Sequence, residues 1–192
     1  VLPALVRVRE VAAQVPGPGR PQHGVAAAVQ HHEDLERLGQ ICRQAGIVFF
    51  VDAIQQLGAL PIDVEACQAD FLAADAHKWL LAPEGIAVFY CREEVRPRLQ
   101  LLQQGWHMVD RYWDFDRDEW TPSVSALRFE AGSPNSTGQA ALLASVSLLL
   151  ETGMDAVAGN ILENTAVLMD GLSAIPGIRL VSRTDENRRS GI

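Results

Sequence analysis

Ile47-Val48-Phe49-Phe50-Val51-Asp52 is an unbroken apolar, β-favouring run that ends abruptly on a carboxylate. A strand with no polar residue along its length has no face to offer water. It therefore belongs in a mostly parallel sheet covered by helices on both sides. Upstream, Glu33-Asp34 suits the positive end of a helix, and Leu35, Leu38, Ile41 and Cys42 recur at helical spacing. Gly46 closes that helix, as glycine does just past a helix end. Downstream, residues 71–74 (Phe-Leu-Ala-Ala) read as a second short strand running into Asp75-Ala76-His77-Lys78-Trp79, and residues 86–90 as a third.

The rest of the chain keeps the alternation. A helix is predicted over 95–102, with Pro97 in its first turn. Residues 105–130, rich in tryptophan and charge, form a long functional loop. Gly132-Ser133-Pro134-Asn135 is a turn before an apolar helix over 138–150. An amphipathic helix over 154–174 ends at Pro176-Gly177, and residues 178–181 begin another strand. Helices alternating with short apolar strands indicate an α/β fold. Residues 1–32 stay an unassigned lead-in. Residues 1–15 show no clear period, and Pro16-Gly17-Pro18-Gly19-Arg20-Pro21 is a turn or linker whose prolines supply no N–H donors to cradle a phosphate.

Composition narrows the class. The 192 residues are 48% hydrophobic and 21% charged, an ordinary globular balance. A formal net charge of −8 disfavours nucleic acid or an anionic membrane as partner. No uninterrupted apolar run reaches membrane-spanning length. The first residues carry neither a basic start nor a cleavage site of the secretory kind. Three cysteines, Cys42, Cys67 and Cys91, are an odd number without a paired CxxC spacing, so neither a disulfide framework nor a structural zinc is expected, and a reducing cytoplasm is. His31-His32 followed by Glu33-Asp34 lacks a spaced third ligand, and no metal site is expected there.

Two residues stand out for chemistry. In open α/β sheets, ligands bind outside the carboxyl ends of the strands, and Asp52 sits directly after a buried strand. An acid there also serves as a turn or helix cap. Gln55 shares the same rim. Lys78 follows the second strand, between His77 and Trp79. A lysine in such a place reaches solvent unless a lowered pKa lets its amine attack a carbonyl. A lysine and an acid on one rim suit pyridoxal phosphate (PLP), whose carbonyl takes a lysine and whose pyridine nitrogen needs an acid. The pair alone is not specific for it.

The longer runs 51–64 (VDAIQQLGALPIDV) and 70–90 (DFLAADAHKWLLAPEGIAVFY), with Phe129-Glu130-Ala131-Gly132-Ser133-Pro134-Asn135, resemble the class V aminotransferase and cysteine desulfurase family of PLP-dependent enzymes. The resemblance covers roughly residues 33–182. It implies the large domain of the fold-type I PLP enzymes over 33–150, incomplete, with residues 151–192 a connecting helix and the start of a small C-terminal domain. It implies that Asp52 pairs with the pyridine nitrogen, that Gln55 hydrogen-bonds the phenolic oxygen, and that His77 approaches the phosphate. Lys78 would hold the cofactor as a Schiff base and then shuttle protons at the substrate's α-carbon. Gly132 and Ser133 would reach the phosphate of the cofactor in a partner subunit, which makes a homodimer acting on a small amino acid the expected assembly.

Three departures from the family pattern matter. Asp75 stands where relatives place a small hydroxyl residue on the phosphate; a carboxylate would repel that group, so Asp75 is not counted as a ligand. Residues 1–32 match neither the phosphate-gripping turn nor the ring-stacking residue of the family. The arginine that binds the substrate carboxylate, and the nucleophilic cysteine of desulfurases, belong to a small domain of which only the start is matched. Cys42 and Cys91 read as core thiols and Cys67 as a bystander. His107 and Trp106, in the long loop, read as packing residues or as substrate contacts. The rival reading is an inactive truncated remnant, at most a dimerising or binding module with exposed apolar surface. A generic nucleotide-binding domain is disfavoured, because no glycine-rich fingerprint follows a strand.

Overall fold

The computed structural model describes residues 24–27, 32–185 and 189–191. Four short strands form one sheet in the order β1 (Gly24–Ala27), β2 (Val48–Asp52), β3 (Phe71–Asp75) and β4 (Ala87–Cys91). β1 and β2 pair in parallel, as do β2 and β3, while β4 runs antiparallel beside β3. The sheet is thus mostly parallel, as the sequence predicts. β1 lies within the stretch left unassigned, and the proline-glycine turn upstream lies outside the described residues, as does His31.

β2 and β3 are buried on both faces, which is why their sequences do not alternate. Phe49, Val51 and Ala53 point to one side, where they meet Leu72, Ala74 and the Leu35 and Cys42 side chains of α1 (His32–Ala45). Val48, Phe50, Phe71 and Ala73 point to the other, against Cys91, Val95 and Leu99. Fully burying side chains such as Phe49, Phe71 and Leu35 contributes about 1.5–3 kcal/mol each. α1 ends as expected: Gly46 takes φ +66°, and the Ile47 N–H donates to the Cys42 carbonyl at 2.8 Å. Ile41, read with the apolar stripe, is 52% exposed.

α2 (Ser136–Thr152) and α3 (Met154–Ser173) follow, bent by 82° at their junction. Leu149 of α2 joins Ala76, Leu80 and Ala82 in a third apolar cluster, with Leu142, Val146, Met154 and Val157 packed against it. This cluster seats the loop that carries Lys78. Elsewhere α2 and α3 leave Leu143, Leu150, Val167 and Leu168 exposed. Among the described residues no single helix is long and apolar enough to cross a membrane.

Two expected elements are corrected. The helix over 95–102 is only a 3-10 turn, Arg96–Arg98, and Leu99 has already returned to extended backbone. Pro97 supplies no N–H there, and burying Val95 and Leu99 needs no longer helix. Residues 178–181 form no strand: among the described residues no strand pairs with them, and Val181 is 87% exposed.

Asp70 fastens the amino ends of the strands. Its carboxylate accepts the Phe49 N–H at 2.8 Å and pairs with Arg92, just past β4. Its own N–H donates to the Phe49 carbonyl at 2.9 Å, and its carbonyl accepts the Arg92 N–H at 2.9 Å. Burial pushes the Asp70 carboxyl up, opposed by the Phe49 hydrogen bond and the Arg43 and Arg98 charges. Asp70→Ala strands the Phe49 donor and the Arg92 charge. It is expected to lower stability by about 2–4 kcal/mol, read as a lower urea midpoint at unchanged slope.

Candidate active site

The register of the two central strands decides which residues share the rim. Asp52, the last residue of β2, stands opposite Ala73, β3 runs two residues further to Asp75, and both continue into loops at the carboxyl end of these two parallel strands. The β2 loop carries Asp52 and Gln55, both half-buried; the β3 loop carries exposed His77 and half-buried Lys78. Asp52 also fills the turn role the sequence left open, since its Oδ1 accepts the Ile54 N–H at 3.2 Å. Gln56, next to Gln55, is buried and donates to the Pro61 carbonyl at 3.1 Å, so it is the loop's internal brace.

Gly58 joins the two loops. Its φ is +94°, and a Cβ there would lie 2.4 Å from the Trp79 carbonyl oxygen and 2.6 Å from its carbon. Only glycine lets the Asp52 loop rest on the backbone next to Lys78. The Lys78 loop is itself tight. The Ala82 N–H donates to the Ala76 carbonyl at 2.9 Å and the Leu81 N–H to the Lys78 carbonyl at 3.1 Å. Leu81 takes φ +59°, a strained conformation for a branched residue, held by the burial of Leu80 and Ala82 on either side.

Gly132 and Ser133 lie in the turn that leads into α2. Asn135 accepts the Gly138 N–H at 3.0 Å, capping α2, and donates from Nδ2 to the Gly85 carbonyl at 3.0 Å, just before β4. The Gly132-Ser133 turn is thereby tied to the β3–β4 connection. Ser133 is exposed, and a Cβ on Gly132 would meet nothing within 4 Å. Asp75 ends β3 two positions beyond Ala73, on the sheet face that Asp52 also takes. Gly58, Leu81 and Asn135 are the residues sequence reasoning missed. Asn135, at the end of a turn before an apolar helix, carried a legible cap signal; the other two act through backbone contacts that leave no trace in composition.

The thiols stand apart from the rim. Cys42, Cys67 and Cys91 are buried and free of disulfides. Burial pushes all three up, Cys91 to about 11, although the Arg96 and Arg128 charges act in the opposite direction there. Cys67, read as a bystander, is 2% exposed and belongs to the core. None of the three is expected to react with an aromatic disulfide reagent at pH 8 until urea unfolds the chain; fast labelling of the native protein would contradict this. His107 is also buried, at 8% exposure, between the rings of Trp106 and Tyr112 (centroids 5.1 and 4.1 Å away), which is the packing role. Among the described residues no three His, Cys, Asp or Glu side chains converge as metal ligands.

The chain is an α/β protein with an acid and an amine in the segments that follow two adjacent parallel strands. The chain belongs to the aminotransferase class-V family, whose model matches residues 29–192. It is 32% identical over 146 residues to a probable cysteine desulfurase of Methanothermobacter thermautotrophicus, covering 76% of this chain and 36% of the relative. It is 34% identical over 145 residues to a probable cysteine desulfurase of Synechocystis, covering 76% of this chain and 34% of the relative. Among solved structures, the apo cysteine desulfurase from Thermococcus onnurineus NA1 superposes with a TM-score of 0.76 at 27% identity, over 88% of this chain and 42% of that one. The architecture is therefore that of the fold-type I PLP enzymes, in part: the chain spans about a third of the length of these curated relatives.

Proposed function

We propose that this chain is part of a PLP-dependent enzyme that acts on the amine of a small amino acid, with Lys78 the attachment point for the cofactor. The observation that carries the reading is the placement of Asp52 and Lys78 on neighbouring strand ends, with their loops locked together at Gly58 and Trp79. The donor set fits the cofactor. Asp52 would hold a protonated pyridine nitrogen, and Gln55 would donate to the phenolic oxygen beside it. Open space beside Gly132, with the exposed Ser133 hydroxyl, suits a phosphate brought by a partner subunit, so the assembly proposed is a homodimer. His77, exposed on the Lys78 loop, would approach the phosphate of this subunit's own cofactor.

When bound, the cofactor supplies an electron sink for charge left on the substrate's α-carbon. The chain's own residues do the remainder. Asp52 would keep the nitrogen protonated through a carboxylate fixed at the end of a buried strand. Lys78 would be the base that takes the substrate's α-proton. Leu80 and Ala82, buried below it, keep its loop from moving away. Three free buried thiols suit a reducing, cytoplasmic setting.

An L-amino acid added to the cofactor-loaded chain is expected to change its visible absorption. The hydroxy acid of the same carbon skeleton has no amine to exchange with Lys78 and should leave the spectrum unchanged. An equal response to both would overturn the reading. The remnant reading leads if the chain takes up no cofactor.

A further inference from the structure

The long loop over 105–123 is a built structure with its own cavity. The Trp120 indole N–H donates to the Gly105 carbonyl at 3.2 Å, closing the loop on itself. Val109 and Pro122 form an antiparallel bridge, and the Ser123 N–H donates to the Met108 carbonyl at 2.8 Å. At its base, Gly105 presses on Ala131, where a Cβ would fall 1.7 Å from the carbonyl oxygen. The loop thus stands directly on the turn that leads into Gly132 and Ser133.

Its cavity, open to solvent, has a volume of about 290 Å³, and Trp106, Tyr112, Trp120, Asp114, Asp118 and Glu119 are among the residues that line it. Trp106 and Tyr112 meet edge-on at 67°, their centroids 5.8 Å apart, and make a corner of the wall. His107 packs behind Tyr112 and fixes that ring. Trp106 and Trp120 remain 49% and 38% exposed, so part of each side chain is accessible to a ligand. Arg111 and Arg117 also border the cavity, but Asp110 adds a fourth carboxylate, so its charge is net negative. Among the described residues none of these acids is engaged in an ion pair.

We infer that this cavity binds an organic ammonium ion. Aromatic faces attract a cation through their quadrupole, and they favour a weakly hydrated one with apolar substituents over a hydrated metal ion. Unpaired carboxylates at the rim supply the countercharge. None of the residues that line the cavity is Asp52, Gln55, His77 or Lys78, and the cavity is formed by this chain without the cofactor, so its test does not depend on the cofactor reading.

The probe is choline, against its uncharged carbon isostere 3,3-dimethyl-1-butanol, titrated into the full chain at fixed ionic strength. Tryptophan fluorescence and ligand-observed NMR follow binding. Choline is expected to bind saturably, roughly 10-fold or more tighter than the isostere. The double substitution Asp118→Asn with Glu119→Gln, at two exposed positions, is expected to weaken choline roughly 3- to 10-fold and leave the isostere unchanged. Trp106→Leu should weaken choline as well. Equal binding of the two probes, or choline binding untouched by the acid-to-amide pair, would overturn the inference.

Discussion

Lys78→Ala is expected to abolish covalent cofactor attachment and to lower turnover of the loaded enzyme by roughly 10³-fold or more, because nucleophile and proton carrier are lost together. The fold should hardly notice. Lys78 is half-buried, and its loop is held by backbone hydrogen bonds and by the burial of Leu80 and Ala82 rather than by its amine. The urea midpoint should therefore correspond to a change within about 0.5 kcal/mol. Lys78→Arg keeps a cation but not an amine that can be deprotonated, and it should be as inactive as the alanine variant. Retained turnover in either, with a reducible band still present, would place the attachment elsewhere.

Gly58→Ala is the second large effect, and it acts through the backbone. The added Cβ would meet the Trp79 carbonyl at 2.4 Å, in a residue already at φ +94°. Neither the carbonyl nor the loop behind it can swing away, since Leu80 is buried on the next residue. A loss of about 2–4 kcal/mol is expected, with a fall in cofactor affinity, since the Asp52 and Lys78 loops must separate to admit the methyl group. Gly46→Ala is the control: it also has positive φ, at +66°, but nothing lies within 4 Å of its Cβ position. It should cost only the left-handed strain, about 1 kcal/mol, and leave cofactor binding intact. If the two variants behave alike in the melt and in cofactor titration, the close approach at Trp79 has no role.

What could be read from the sequence was whatever the local pattern carries. The unbroken run from Ile47 to Val51, the helix from Glu33 to Gly46 and the apolar helix before Leu149 each follow from residue type and period, and each is where it was expected. Asp52 and Lys78 were visible because they interrupt such runs at strand ends. What stayed hidden depends on partners distant in sequence. β1 is four residues, Gly24–Ala27, whose strand character comes from pairing with β2. Residues 178–181 have the composition of a strand but no partner, and so form none. The joint at Gly58 needs knowledge of where Trp79 lies, 21 positions on. The cavity in the tryptophan-rich loop depends on the bridge between Val109 and Pro122, which no periodicity announces.

The central claim is that Lys78 and Asp52 form one cofactor site. It is tested most directly by titrating the purified chain with PLP, reducing with borohydride and mapping the modified peptide. The expected result is a saturable visible band, bleached by borohydride, with the reduced cofactor on Lys78 at one equivalent per chain and the band weakened or shifted in Asp52→Asn. Scattered labelling of surface amines without saturation, or a labelled site that ignores Asp52→Asn, would contradict it.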